Sequence, residues 1–162
     1  MVTIGIMVII NGIIFFNYPK VMANLDLRRT ADEIALLARQ AQAYAMAAKS
    51  EGGELPSYGV HFDTGAPTTI VLFADNDSSN SWNAGDATVQ TFDIQTKDEI
   101  SSLSCGVSCG STADVVYSRL DPTAKINNNT GISSVGITIE SHRDPGSTKI
   151  ITIYKNGYIS IQ

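Results

Sequence analysis

The sequence predicts an α+β protein in which one long N-terminal α-helix packs on an antiparallel β-sheet domain. Three observations carry that expectation. Helix-type periodicity runs from near residue 2 to about residue 49 and then ceases. Short runs of alternating or β-branched residues fill the rest of the chain. The two regimes meet at "EGGELP", Glu51 to Pro56, where two glycines and a proline end any helix.

The helix is clearest from Val21, in "VMANLDLRRTADEIALLARQAQAYAMAAKS". Leu27, Ala31, Ile34, Ala38, Ala41 and Ala45 recur alternately four and three apart, which builds one continuous apolar stripe. Arg28, Arg29, Asp32, Arg39 and Gln40 take the other side. Ala, Leu, Arg and Gln are strong helix formers. An Ala-rich stripe lets a sheet or another helix approach closely, and the C-terminal strands are the element expected to cover it.

Past Pro56 the runs are "YGVHFD", "TTIVLFAD", "TVQTFDIQ", "EISSLSC", "DVVYSRL", "AKI", "VGITIES", "TKIITIYK" and "YISIQ". Asn-Gly within Lys155–Gly157 is a strong hairpin signal between the last two. "RDPGS", Arg143 to Ser147, marks another turn. The expected organisation is therefore a hydrophobic helical segment 1–20, its amphipathic continuation 21–50 and a β-rich domain 51–162.

A formal net charge of -5 and a pI near 4.8 argue against a nucleic-acid partner, which needs a basic face. Charged residues make up only 17% of the chain, and Ser, Thr, Asn and Gly abound past Ser50, a balance typical of extracytoplasmic β domains.

The opening "MVTIGIMVIINGIIFFNYPK" is uncharged through Phe16 and admits three readings. As a cleavable secretory signal it has small or apolar residues at Val21, Met22 and Ala23, but no Lys or Arg before the apolar stretch. As a complete membrane anchor it is shorter than the ~20 residues a span requires and carries Asn11, an amide costly in lipid. The third reading rests on resemblance. "MVTIGIMVIINGIIFFNYP" resembles the N-terminal helix of type IV pilins and type II secretion pseudopilins. In those helices a Phe-Thr-Leu-Ile-Glu-Leu-like run leads into an apolar stretch, a helix-weakening Pro and an amphipathic continuation. "ANLDLRRTADEIALLARQAQAYAMAAKS" is similar to that continuation in the GspH/FimT-like branch, and "IITIYKNGYISIQ" to its closing hairpin. The middle of the chain shares only the style of the family.

The resemblance implies a pilin-like fold and a structural, non-enzymatic subunit of a type IV pilus, type II secretion or related filament. The implied partners are other pilin or pseudopilin subunits, identical or different. The implied location is the inner membrane, in a single pass with the β domain periplasmic or extracellular, until the subunit enters the filament. Val2, Ile4, Ile6, Ile9, Ile10, Ile13, Ile14, Phe15 and Phe16 would then form the membrane and filament-core helix, with Gly12 and Pro19 the points of bending. The sequence departs from the family in having no basic leader, no Gly at a cleavage point and no Glu near its start. The expectation is that Met1 is an internal position of a longer precursor.

Other sites are fewer. "DNDSSNSWNAGD" places Asp75, Asp77, Ser79, Ser81, Asn83 and Asp86 at positions 1, 3, 5, 7, 9 and 12 of an EF-hand-like calcium loop. Asn80 stands where that loop needs Gly, position 12 is Asp, and the flanks are strands, so a solvated polar loop tip is the simpler reading. Calcium is the cofactor this loop suggests, and a membrane-tethered domain binding a ligand through it is the rival function. Trp82, within it, either contacts a partner or covers a sheet edge. Cys105 and Cys109 are expected to form a disulfide outside the cytoplasm, worth ~2 kcal/mol for so small a ring. Zinc shared with His61 and His142 is the alternative. Asn128–Thr130 and Asn76–Ser78 match glycosylation acceptors. No nucleophile elbow, phosphate loop or paired carboxylates suggest catalysis.

Overall fold

The computed structural model describes residues 2–51, 53, 55–94, 97–106 and 109–162; of helix side chains before position 18, it describes only Met7. Helix α1 spans Val2–Met46 as one element with Pro19 inside it. At a rise of 1.5 Å per residue it is about 68 Å long. It ends three residues short of the sequence expectation because Ala48 turns left-handed, with φ 47°. The Lys49 amide then reaches back to the Tyr44 carbonyl at 3.0 Å, a closure that usually employs glycine.

Nine strands follow: β1 Ser57–Asp63, β2 Thr69–Asp75, β3 Ala87–Asp93, β4 Asp98–Ser104, β5 Thr112–Tyr117, β6 Ala124–Ile126, β7 Ser134–Ser141, β8 Thr148–Tyr154 and β9 Ile159–Ile161. They form two antiparallel sheets, a larger one ordered β3-β2-β1-β5-β6 and a smaller one ordered β4-β7-β8-β9. The α+β expectation thus holds.

All six positions of the Ala-rich stripe, Leu27 through Ala45, are fully buried. Ala35 and Leu37 are buried beside them, so the covered face is wider than the stripe alone. Both sheets share this core: Tyr58, Val60 and Phe62 of β1 and Val115 and Tyr117 of β5 come from the larger, and Ile137, Ile139, Ile151 and Ile153 from the smaller. Each such side chain contributes ~1.5–3 kcal/mol on leaving water. One polar contact also joins helix to smaller sheet, where the buried Thr30 hydroxyl donates to Asp98 Oδ2 at 2.8 Å. Nearby, Arg143 lies 3.4 Å from Asp26 Oδ2.

Candidate functional site

Two surfaces of the molecule hold candidate functional residues: the outer side of α1, and the outer face of the larger sheet under the β2–β3 loop.

On the helix, Tyr18, Val21, Leu25 and Leu36 are 59%, 56%, 57% and 63% exposed. At about 100° per residue these positions share one face with Arg29 and Asp32. That face points directly away from the buried stripe. The helix therefore has one apolar side consumed by the sheets and, opposite it, a mixed side on which four large apolar side chains are exposed among charged ones. Sequence periodicity found only the first, because Arg29 and Asp32 interrupt the second. The side chains of Val2, Ile4, Ile6, Ile9, Ile10, Ile13, Ile14, Phe15 and Phe16 lie outside the described residues, as does the local environment of Gly12. The backbone there is helical and continues through Pro19. Among the described residues no helix is long and apolar enough to cross a membrane.

On the larger sheet the key position is Gly59, in the central strand. Its register partners are Phe73 on β2 and Val116 on β5. A Cβ at Gly59 would lie 2.6 Å from Phe73 Cζ and 2.9 Å from Val116 Cγ2, so only glycine lets the Phe73 ring lie across β1. Trp82, from the loop, packs on that ring with centroids 5.3 Å apart and reaches His61 at 6.2 Å. Beneath it, His61 Nδ1 and Asp114 Oδ1 are 2.6 Å apart across the β1–β5 pairing. Trp82 thus covers the sheet face and pins the loop. Of the two readings the sequence offered for Trp82, cover of the sheet is the one seen, over its face rather than its edge, whereas the Phe73–Gly59 and His61–Asp114 contacts beneath it escaped sequence reasoning.

The loop itself brings Asp75, Asp77 and Asp86 together, each offering a carboxylate oxygen within 4.8 Å of the others. Asp75 is buried at the end of β2 and accepts the Ser79 and Asn80 amides at 3.0 and 3.1 Å. Asp86 accepts the Asn76 and Asn83 amides at 3.2 and 2.9 Å. The Asn83 side chain is turned so that Nδ2 donates to Asp77 Oδ2, Ser79 Oγ and the Ser81 carbonyl at 3.0, 2.9 and 3.3 Å. Its Oδ1 accepts the Gly85 amide at 2.7 Å. The side-chain oxygens at calcium-loop positions 3 and 5 and the carbonyl at position 7 thus converge on an amide nitrogen, and Asn83 closes the loop upon itself.

Burial pushes the Asp75 carboxyl up to about 6, helped by the Asp77 and Asp86 carboxylates and opposed by its two amide donors. Burial likewise raises Asp86, whereas hydrogen bonds from Ser79 and Asn83 lower Asp77. A raised carboxylate binds protons more readily folded than unfolded. Its stabilising contribution is complete below about 4 and is lost as pH rises through about 6. The Tm of wild type minus that of Asp75→Asn is therefore expected to fall between pH 4 and pH 7. A flat difference would contradict the assignment.

Cys105 and Cys109 are joined in a disulfide just after β4. That removes both thiolates from the zinc alternative, and its histidines are separated. His61 sits on the larger sheet, while His142 lies beyond β7 with Nε2 3.6 Å from Glu99. Asn76 and Asn128 are both exposed in turns.

No family model and no curated protein sequence matches the chain. Its structure is similar to that of the type IV minor pilin FimU of Pseudomonas aeruginosa PAO1, with a TM-score of 0.57 and 10% identity over 86% of this chain and 90% of that one. A second crystal form of FimU gives 0.55 and 12%, covering 84% and 92%. The minor pseudopilin EpsH of the Vibrio cholerae Type 2 Secretion System gives 0.53 and 10%, covering 85% and 96%. At such identities the common property is the fold, and the chain has the pilin-type fold that the sequence resemblance implied.

Proposed function

We propose that this chain is a structural subunit of a pilin- or pseudopilin-type filament, working by helix packing rather than by chemistry. The observation that carries the proposal is the set of exposed apolar side chains on the outer side of α1, Tyr18, Val21, Leu25 and, past Arg29 and Asp32, Leu36, opposite the face the sheets cover. Large apolar side chains gathered on one exposed helix face suit burial against another surface. The pilin-type fold shared with FimU and EpsH supports the same conclusion. In this proposal residues 1–20 form the filament core, 21–50 the shaft and 51–162 the outward domain. Partners are subunits of the same fold, identical or different. The uncharged run to Phe16 supports a stay in the inner membrane before assembly, with the β domain outside the cytoplasm.

Single-cysteine crosslinking of the full chain, expressed with its partner subunits, tests this. Because Cys105 and Cys109 are paired, Leu36→Cys supplies a lone free thiol. The expected result is a crosslinked ladder that Leu25→Asp abolishes, while the circular dichroism of the β domain stays unchanged. A chain that stays monomeric in the membrane and binds a soluble ligand through the Asp75–Asp86 loop would overturn the proposal in favour of a tethered binding domain.

A further inference from the structure

A cleft of about 310 Å³ opens at the β6 end of the larger sheet, beside the β2–β3 loop and lined by none of its residues. Its floor is the buried Ala124, and its walls are Lys125 of β6, the turn carrying Asn128 to Thr130, and Lys155 after β8. The walls are tied to one another through the backbone. The Ala124 amide donates to the Lys155 carbonyl at 2.7 Å, and the Lys155 amide to the Ser133 carbonyl at 2.8 Å. The Asn129 amide donates to the Ile126 carbonyl and the Asn127 amide to the Asp114 carbonyl, both at 2.9 Å. The cleft is thus held open before any ligand arrives, which lowers the ordering cost of binding.

Its electrostatics run against those of the chain. The protein has 16 acidic and 11 basic residues, yet this cleft gathers two lysines and no carboxylate into its lining. Both ammonium groups are positioned by neutral oxygens. Lys125 Nζ donates to Asn80 Oδ1 at 3.0 Å, and Lys155 Nζ to the Thr130 carbonyl at 3.2 Å. Among the described residues neither nitrogen has a carboxylate within 4.0 Å. Asp121 is a carboxylate near enough to sense Lys125, but its Oδ1 is turned back to the Thr123 amide and hydroxyl at 2.9 and 2.8 Å. Two like charges sharing a cleft repel unless an anion lies between them.

We infer that this cleft binds an acidic peptide segment of a partner protein, with Lys125 and Lys155 taking its carboxylates. The Asn128 amide, both donor and acceptor, and the Thr123 hydroxyl oxygen, whose proton already goes to Asp121, suit the peptide backbone between them. A volume near 300 Å³ sits at the small end of ligand pockets and suits a short segment. The flanks argue against a nucleic acid or an anionic membrane. Asp121 stands on one rim, and Lys125 is tethered on the other to the loop of Asp75, Asp77 and Asp86. An extended polyanion would meet those carboxylates, whereas a short acidic segment fits between them. The inference does not depend on the filament proposal.

The test is a heteronuclear NMR titration of the full chain in non-ionic detergent at low salt, with an end-capped Asp/Glu hexapeptide. Saturable shifts are expected at Lys125, Asn128, Thr130 and Lys155. Lys125→Gln with Lys155→Gln should weaken binding roughly tenfold, and Lys125→Arg with Lys155→Arg should retain it. No saturable shift, or equal binding by the glutamine variant, would overturn the inference. So would displacement by inorganic phosphate as readily as by free peptide, which marks a general anion site. Lysine-dependent capture by phosphatidylglycerol vesicles would equally overturn it, assigning the cleft to a lipid.

Discussion

Gly157→Ala is expected to lower the stability of the β domain by about 2–4 kcal/mol, read as a fall in Tm under thermal unfolding. Gly157 ends the turn between β8 and β9 with φ 81°, a left-handed conformation that disfavours any side chain. Its amide donates to the Tyr154 carbonyl at 2.9 Å. A methyl group there would also stand 2.5 Å from Gln42 Nε2 and 2.8 Å from the Pro122 carbonyl oxygen. The hairpin turn is pressed against the point where the helix holds the loop before β6, since Gln42 Nε2 donates to that same carbonyl at 3.0 Å. Gln42 can swing away, but the Pro122 backbone cannot. Combining the change with Gln42→Ala should therefore recover less than half of the loss. Full recovery would mean that the side-chain contact alone mattered.

Gly59→Ala is expected to cost about 2 kcal/mol, or roughly 4–8 °C in Tm, with a visible change in tryptophan emission. The backbone at Gly59 is ordinary strand, so the cost is wholly one of space. The methyl would drive into the Phe73 ring and Val116. Phe73 is itself fully buried and capped by Trp82, so it can retreat only by lifting the loop. Trp82 is the single tryptophan of the chain, so its fluorescence reports this movement without interference. Unchanged stability together with an unshifted spectrum would show that the ring has room the structure does not indicate. Either glycine substitution should leave the helix intact, since α1 owes its form to its own Ala- and Leu-rich sequence.

Much of the architecture was legible because its determinants are local. Each quoted run past Pro56 overlaps one strand, from "YGVHFD" on β1 to "YISIQ" on β9, since alternation and turn residues act within a few positions. The six stripe residues from Leu27 to Ala45 were all found buried because helical spacing fixes which side chains share a face. The loop from Asp75 to Asp86 was bounded correctly by its turn residues. The rotation of the Asn83 amide toward Asp77, Ser79 and Ser81 was not legible, for a spacing pattern does not say which end of an amide points inward.

The sequence alone therefore determined the helix, its buried face, the places of the strands and the family likeness. The tertiary structure decided what depends on pairing distant segments. It sent β4 to the smaller sheet while β3 and β5 stayed in the larger, and it laid Phe73 over Gly59. It also set His61 against Asp114, 53 residues away, and brought Lys125 and Lys155 into the lining of one cleft. Such contacts follow from strand register and loop closure, which no local periodicity encodes.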